Sequence, residues 1–294
     1  MTANTVTTAP PEVEEVNVDA VGSATLSPAT VFRLDFMQRA LVAGILVGGV
    51  SAFLGIYVVL RRIVFVGIAL SEMSSAGVAL ATLTKIAPMI GSVLTMFAGV
   101  LLFSVRWGGK RIRQDAFIGI GYVVASAGAV LLLSKSASGE GSMMSLLFGD
   151  ILTVTANDIW ATAIALGITL AFHALFYKEL LFVAFDPDTA SASGYPVRFW
   201  ELALYLTVGL TIAFSIHAVG VLMTFASLII PPVTALLLTR RMETAFAVAV
   251  LAGMIPVPIG LYVSYVADLP STATVVILEF ALLILAGIAS RFRH

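Results

Sequence analysis

The chain has 294 residues, of which 60% are hydrophobic and 11% charged, with a formal net charge of −1. Soluble domains carry about 25% charged residues, so this composition excludes an ordinary soluble domain and is typical of a polytopic membrane protein. The sequence has no cysteine and no basic stripe, which excludes disulfides and thiolate metal sites and argues against a nucleic-acid partner.

Residues 1–36 differ from the rest of the chain. They are rich in Thr, Pro, Ser and acidic residues and contain no apolar run, so we predict a mostly disordered tail. They also lack the basic and apolar regions of a secretory signal. Residues 37–294 are predicted to form the membrane domain.

Nine apolar segments follow the tail, each close to the roughly 20 residues that cross a bilayer core. They are 37–60, 63–84, 87–105, 116–134, 156–177, 200–216, 218–239, 244–266 and 272–290. The pair around His217 is short and can also be one broken helix, which leaves eight. The predicted fold class is therefore an all-α polytopic membrane protein with about 8–9 transmembrane helices.

Small residues and prolines suggest how these segments pack. Gly44, Gly48, Gly49 and Gly55 in the first segment predict close approach of neighbouring helix backbones. Prolines 231, 232, 256 and 258 are expected to bend or break their helices, since a proline lacks the N–H group of the helical hydrogen bond.

The basic residues indicate an orientation. With nine segments, twelve of the 16 Lys and Arg residues fall on one side of the membrane. Cytoplasmic loops carry such an excess, so the tail is predicted outside and the C-terminus in the cytoplasm. The loop 185–197 is then cytoplasmic. Asp186 or Asp188 can cap a short helix there that ends at Gly194, in either a docking element or an ordinary structured loop.

Three stretches carry a family resemblance. They are "YVVLRRIVFVGIALSEMSSAGVAL" (57–80), "RIRQDAFIGIGYVVASAGAVLLL" (111–133) with "LLFGDILTV" (146–154), and "FDPDTASASGYPV" (185–197) with "AVGVLMTFASLIIPPVTALLLTRR" (218–241). In this order they resemble the permeases of bacterial metal-ion ABC transporters, which import zinc, manganese or iron. The resemblance covers roughly residues 37–290.

The resemblance implies a type II-like ABC importer permease in the bacterial inner membrane. Its partners would be an ABC ATPase subunit, an extracytoplasmic metal-binding protein and a second permease copy, as a homodimer or a heterodimer. The loop 185–197 would seat in the ATPase, through Asp186, Asp188, Ala190, Gly194 and Pro196. The sequence has no G-x-x-x-x-G-K-[ST] loop, so we expect no enzyme activity or bound cofactor in this chain, with ATP and magnesium bound by the ATPase.

Glu72 lies in the middle of the second segment. The family commonly carries an Asp and a His four residues apart here, and Ile68 and Glu72 occupy those positions. Residues i and i+4 share a helix face, so the resemblance implies that Glu72 contacts the passing metal ion. The alternative is a structural carboxyl group bonded to a serine, such as Ser75 or one on a neighbouring helix. The missing Asp and His leave the metal open, and a non-metal solute remains an alternative substrate.

Two further residues are candidates for the translocation pathway. Glu279 is midway along the last segment, where an ionisable residue is a functional candidate by default. His217 is predicted at the extracytoplasmic rim, either as a wet surface residue or where the ion enters. A gradient-driven carrier that uses Glu72 and Glu279 is the alternative from another class. An intramembrane enzyme is disfavoured because no segment carries H-E-x-x-H or paired aspartates.

The remaining ionisable residues have structural interpretations. His173 is predicted to bond a backbone carbonyl or a neighbour. Asp115 and Glu201 begin predicted helices, where a negative charge suits the helix dipole, so both are interpreted as caps.

Overall fold

A computed structural model describes residues 28–105, 114–135 and 151–292, and these residues are almost entirely helical. The helices are α1 (Pro28–Val31), α2 (Asp35–Leu60), α3 (Val64–Thr84), α4 (Pro88–Ser104), α5 (Gln114–Leu133), α6 (Ala156–Leu175), α7 (Tyr177–Phe185), α8 (Pro187–Ala192), α9 (Val197–Leu238), α10 (Met242–Met254), α11 (Pro256–Ala267) and α12 (Ser271–Arg291). A 3₁₀ turn, Ile151–Thr153, precedes α6.

The long helices match the predicted segments. Seven helical stretches in the described residues are long and apolar enough to cross a membrane, with α10 and α11 together forming one of them. α4 is a shorter apolar helix. The predicted all-α polytopic fold is confirmed.

The local sequence explains where several helices begin and end. Thr155 and Asp158 form a reciprocal capping box at the start of α6. Arg62 and Lys85 adopt the left-handed conformation next to the ends of α2 and α3. α10 ends at Met254 and α11 begins at Pro256, but Ile255 between them keeps helical backbone angles (φ −63°, ψ −41°), so the interruption at this proline is one of hydrogen bonding, and Pro258 lies inside α11.

α9 contains a single residue with non-helical backbone angles, Gly220 (φ 82°, ψ 171°). The helix therefore breaks at Gly220, close to the interruption predicted around His217, whereas Pro231 and Pro232 lie inside the helix and do not break it. We call residues 197–219 α9a and residues 221–238 α9b.

Contacts with α2 show that α9a and α9b run in opposite directions. Glu201, near the start of α9a, pairs with Arg61, just past the end of α2. α9b begins beside the first half of α2, where Met223 lies near Gly44. It then follows α2 towards Gly55. Each of the nine predicted segments therefore has a helical counterpart in the described chain.

α2 is buried along most of its length, and its glycines permit this packing. A Cβ atom on Gly55 would collide with the backbone carbonyl of Leu228 on α9b. A Cβ atom on Gly48 would collide with the carbonyl of Gly253 on α10. The close backbone packing predicted for this segment is confirmed.

Some predicted features fall outside the described residues. These are residues 1–27 of the predicted tail and residues 146–150 of "LLFGDILTV". Within the predicted tail, Pro28–Val31 forms α1, and Val31 is buried in the hydrophobic core.

Candidate functional site

Glu72 lies on α3, facing α5. Its side chain is half-buried, and its hydrogen-bond partner is the hydroxyl group of Ser126 on α5. The partner is thus a serine on a neighbouring helix and not Ser75, the other serine considered for a structural carboxyl group.

An apolar groove of about 670 Å³ lies between α3 and α5, next to this pair. Phe65 and Ile68 line it from α3, and residues from Ala116 to Val124 line it from α5. Glu72 follows Ile68 by one helical turn on the same face of α3. Ile68 therefore lines the groove, and Glu72 lies one helical turn beyond it.

Part of the groove is lined by small residues. Gly119 lines the groove, and a Cβ atom placed there would meet nothing within 4 Å. The neighbouring residues Ile120 and Val123 are each 60% exposed. This face of α5 is therefore an unfilled apolar surface on the single chain.

The described residues contain no group of three or more His, Cys, Asp or Glu side chains that could hold a metal ion. Around Glu72 the arrangement offers one carboxyl group and one hydroxyl group. Such a pair can contact a cation in transit but is too small to form a complete coordination shell.

Glu279 lies on α12 and faces α9b. The hydroxyl group of Ser227 donates to its Oε1 atom at 2.7 Å, and the residue is 1% exposed. The partners of Glu72 and Glu279 are on different helices. The structure therefore places the two carboxylates in separate helix pairs.

His217 lies near the end of α9a, three residues before the break at Gly220. Its ring hydrogen-bonds the backbone carbonyl of Pro88 and lies close enough to Asp158 to feel its charge. The side chain is half-buried, so it is less exposed than a wet rim residue.

His173 is fully buried on α6. Its Nδ1 atom donates to the backbone carbonyl of Thr169 at 3.0 Å, as predicted. The rings of Phe53 and Tyr57 pack against it, with centroid distances of 6.0 and 5.0 Å. Its surroundings are those of a core residue.

The loop 185–197 contains the predicted short helix, α8. Asp186 is its N-cap, accepting from the backbone N–H of Thr189 at 3.0 Å and from its hydroxyl group at 2.6 Å. These hydrogen bonds hold the pKa of Asp186 below its ordinary value. Gly194 follows the helix with φ 84°. The prediction that this loop contains a capped helix is confirmed.

The side chains of this loop point in two directions. Ala190 is fully buried within the chain itself. Asp188, Gly194 and Pro196 are exposed. The polar face of α8 is therefore exposed, and Ala190 packs on the opposite face against the rest of the chain.

Sequence reasoning missed an ion pair that joins the α2–α3 turn to α9a. Arg61 donates to Glu201 at 2.9 Å, and the two side chains are 10% and 22% exposed. α9 begins at Val197, so Glu201 is not in its first turn and the interpretation as a cap is wrong. The side chain of Asp115, the other predicted cap, lies outside the described part of the chain.

Comparisons with known proteins identify the family of this chain. The sequence matches the ABC 3 transport family over residues 33–290. It is 32% identical over 252 residues to the manganese transport system membrane protein MntC of Halalkalibacterium halodurans, covering 85% of this chain and 86% of that protein. It is 29% identical over 262 residues to the chelated iron transport system membrane protein YfeD of Yersinia pestis, covering 89% and 88%.

Two solved structures share the fold. PsaBC from Streptococcus pneumoniae, solved in complex with a Fab, is 25% identical with a TM-score of 0.79, covering 91% of this chain and 95% of that chain. An inward-facing ABC transporter of metal-chelate type has a TM-score of 0.70 at 16% identity, covering 93% and 90%, and shows the fold alone.

The helical bundle is thus that of an ABC importer permease, a multi-pass membrane protein. The chain belongs to the ABC 3 transport family, and its resemblance to permeases of metal-ion ABC transporters is confirmed.

Proposed function

We propose that this chain is the membrane-spanning subunit of an ABC importer that moves a divalent metal ion, namely zinc, manganese or iron. The observation that carries the proposal is Glu72, which occupies the family's ligand position at the end of an open groove. An ionisable residue within a membrane span usually faces a pathway or the bundle interior. The manganese and iron transport described by the names of MntC and YfeD supports a metal substrate.

The partners follow from the same assignment. A second permease copy would cover the exposed face of α5 and place two Glu72 side chains along one pathway. A separate ATPase would dock at α8 and bind the ATP and magnesium, and a binding protein would deliver the ion at the opposite end. This arrangement puts the N-terminal tail outside and the C-terminus in the cytoplasm, in agreement with the distribution of basic residues.

We assign Glu279 and His217 a secondary place in this scheme. Glu279 is enclosed between α12 and α9b, and His217 contacts the start of α4. The two carboxylates face different helices, which supports a route beside Glu72 over a relay that passes between both. Glu279 then contributes by holding α9b in position.

The test measures the metal content of whole cells that express the complete transporter. The strains would carry this chain as wild type, deleted, or with Glu72→Ala or Glu72→Gln. The proposal predicts that deletion lowers one metal and that both substitutions lower the same metal to a similar level, because glutamine keeps the shape but loses the charge. Membrane insertion and association with the ATPase serve as controls.

The outcomes are distinct. Loss of a metal on deletion but not in either Glu72 variant would leave the importer in place and remove Glu72 from the pathway. If no metal changes on deletion, the proposed function is wrong.

A further inference from the structure

The connection from α8 to α9a is fixed by backbone hydrogen bonds. The N–H group of Gly194 donates to the carbonyl of Ser191 at 3.1 Å, and that of Tyr195 donates to the carbonyl of Ala190 at 3.0 Å. Together with the positive φ of Gly194, these two bonds form the Schellman motif that ends many helices. α9a begins at Val197, two residues after Tyr195. A displacement of α8 is therefore passed to the first turn of α9a.

Aromatic rings join α7 to the same connection. The ring of Tyr195 packs edge-on against that of Phe182 on α7, with a centroid distance of 5.4 Å. Trp200, in the first turn of α9a, packs against Phe176 at the start of α7 with a centroid distance of 5.3 Å, and it is 9% exposed. Because these contacts hold α7, α8 and the first turn of α9a together, we call residues 176–201 the loop unit.

Glu201 is the last residue of the loop unit and connects it to the turn before α3. Its Oε1 atom accepts from Nη2 of Arg61 at 2.9 Å. Arg61 is the C-cap of α2, and two residues separate it from α3, which begins at Val64. The ion pair therefore joins the loop unit to the start of the helix that carries Glu72.

The ion pair is shielded from most of the surrounding water, since its two side chains are 10% and 22% exposed. An exposed ion pair holds its partners only weakly, because water and salt screen the charges. Separating a mostly buried pair leaves a charge without its partner in a place with little water, which is costly. The loop unit and the start of α3 are thus expected to move together while the pair is intact.

From this placement we propose that Arg61 and Glu201 are positioning residues for transport, and that their ion pair passes the movement of α8 to the start of α3. Neither residue contacts the ion or ATP in this scheme, so each acts through the helix that it holds. The inference rests on the proposed function, in which the ATPase docks at α8 and the ion passes Glu72 on α3. It adds the contact by which the energy of ATP hydrolysis reaches the pathway.

The test measures ATP hydrolysis and metal uptake in one preparation, the complete transporter reconstituted with its ATPase in liposomes and supplied with its binding protein. The probes are radioactive manganese, zinc and iron(II). The variants are Glu201→Gln, Arg61→Gln, Arg61→Lys and the exchange of Arg61→Glu with Glu201→Arg. Arg62→Gln is the matched control, because it removes the same charge from the same turn and its side chain is exposed.

The inference predicts that Glu201→Gln and Arg61→Gln continue to hydrolyse ATP but import about fivefold fewer ions per ATP, the low end of the range for coupling between distant sites. Arg61→Lys keeps a cation within reach of the same carboxylate oxygen and should retain most of the wild-type ratio. The exchange should restore part of the ratio, and Arg62→Gln should match wild type. A purely structural role would lower uptake and ATP hydrolysis in the same proportion and leave the ratio unchanged.

The failures are distinguishable. If the wild-type transporter imports none of the three metals, the proposed function is wrong and this inference falls with it. If it imports a metal and the ratio of ions to ATP is unchanged in Glu201→Gln and Arg61→Gln, the importer stands and the role of the ion pair is overturned. Failure of both variants to assemble with the ATPase, while Arg62→Gln assembles, would show a structural pair and would also overturn the inference.

Discussion

Glu72 and Glu279 are both carboxylates within apolar helices, and both face a serine hydroxyl group. They differ in burial: Glu279 is 1% exposed, whereas Glu72 is half-buried beside an open groove. A buried polar group needs a hydrogen-bond partner, and leaving its partner unpaired is costly. At the residue scale, this difference in burial predicts a structural role for the enclosed Glu279 and a pathway role for Glu72, which lies beside the groove.

Substitution of Glu279 tests this distinction. Glu279→Gln retains an oxygen that can accept from Ser227, so transport and thermal stability should stay near wild type. Glu279→Ala leaves the Ser227 hydroxyl group unpaired and opens a cavity, which should cost about 1–3 kcal/mol. Thermal unfolding of the purified protein in detergent measures this loss. A stable Glu279→Gln variant that no longer transports would instead place the charge of Glu279 in the pathway.

At the scale of single elements, α8 depends on one cap. Asp186→Ala should weaken α8 and reduce co-purification of the ATPase, whereas Asp186→Asn should retain much of it, since Asn is also a good N-cap. Asp188→Ala is the comparison that removes a charge from the same surface without removing the cap, because Asp188 is exposed and does not cap the helix. Equal losses from Asp186→Ala and Asp188→Ala would show that surface charge, and not the cap, is what the ATPase requires.

The same cap has a defined pH dependence. Hydrogen bonds from Thr189 hold the pKa of Asp186 below its ordinary value, so the folded state favours the charged form. The stabilising effect is present above the ordinary carboxylate range and is lost as the pH falls through the lowered pKa. Near neutral pH Asp186 is therefore charged, and small changes of pH in this range should not change co-purification of the ATPase. A loss of α8 helicity already at mildly acidic pH would contradict this interpretation.

The Arg61–Glu201 ion pair connects two elements that sequence separates by 140 residues. It ties the turn before α3 to the helix that follows α8. Glu201→Gln and Arg61→Gln should each lower transport, and the swap of Arg61→Glu with Glu201→Arg should restore part of it. A double-mutant cycle on thermal stability should give a coupling energy of about 1–2 kcal/mol, since the pair is mostly buried. Additive effects of the two single variants would mean that the pair contributes nothing.

At the scale of the whole molecule, the break at Gly220 sets the topology. Between Ser193 and Leu269 the chain crosses the bundle through α9a, α9b and the α10–α11 pair, so these residues should face opposite sides of the membrane. Because the chain has no native cysteine, Ser193→Cys and Leu269→Cys can each be labelled with an impermeant thiol reagent without background. Ser193→Cys should label only from the cytoplasm and Leu269→Cys only from outside. Labelling of both from one side would mean that α9 crosses once.

Much of this architecture could be predicted from sequence because each long apolar segment must be helical to satisfy its backbone in lipid. The segment 37–60 and the cap at Asp186 are examples of signals that are local in sequence. The pairings of Glu72 with Ser126 and of Arg61 with Glu201 were not predictable, because they depend on which helices become neighbours. The interruption near His217 was predicted from the lengths of the two segments, but its position at Gly220 was not, since a glycine has less effect on a local pattern than Pro231–Pro232.

The most direct test of the central claim asks whether the groove between α3 and α5 carries the ion. Ile68→Cys introduces a single thiol at the groove, and Ile164→Cys introduces one at an exposed apolar position on α6 as a control. Manganese uptake is measured before and after quantitative labelling with a small thiol reagent. Labelling of Ile68→Cys should reduce uptake severalfold and labelling of Ile164→Cys should not. Unchanged uptake by a fully labelled Ile68→Cys transporter would contradict the claim that the ion passes beside Glu72.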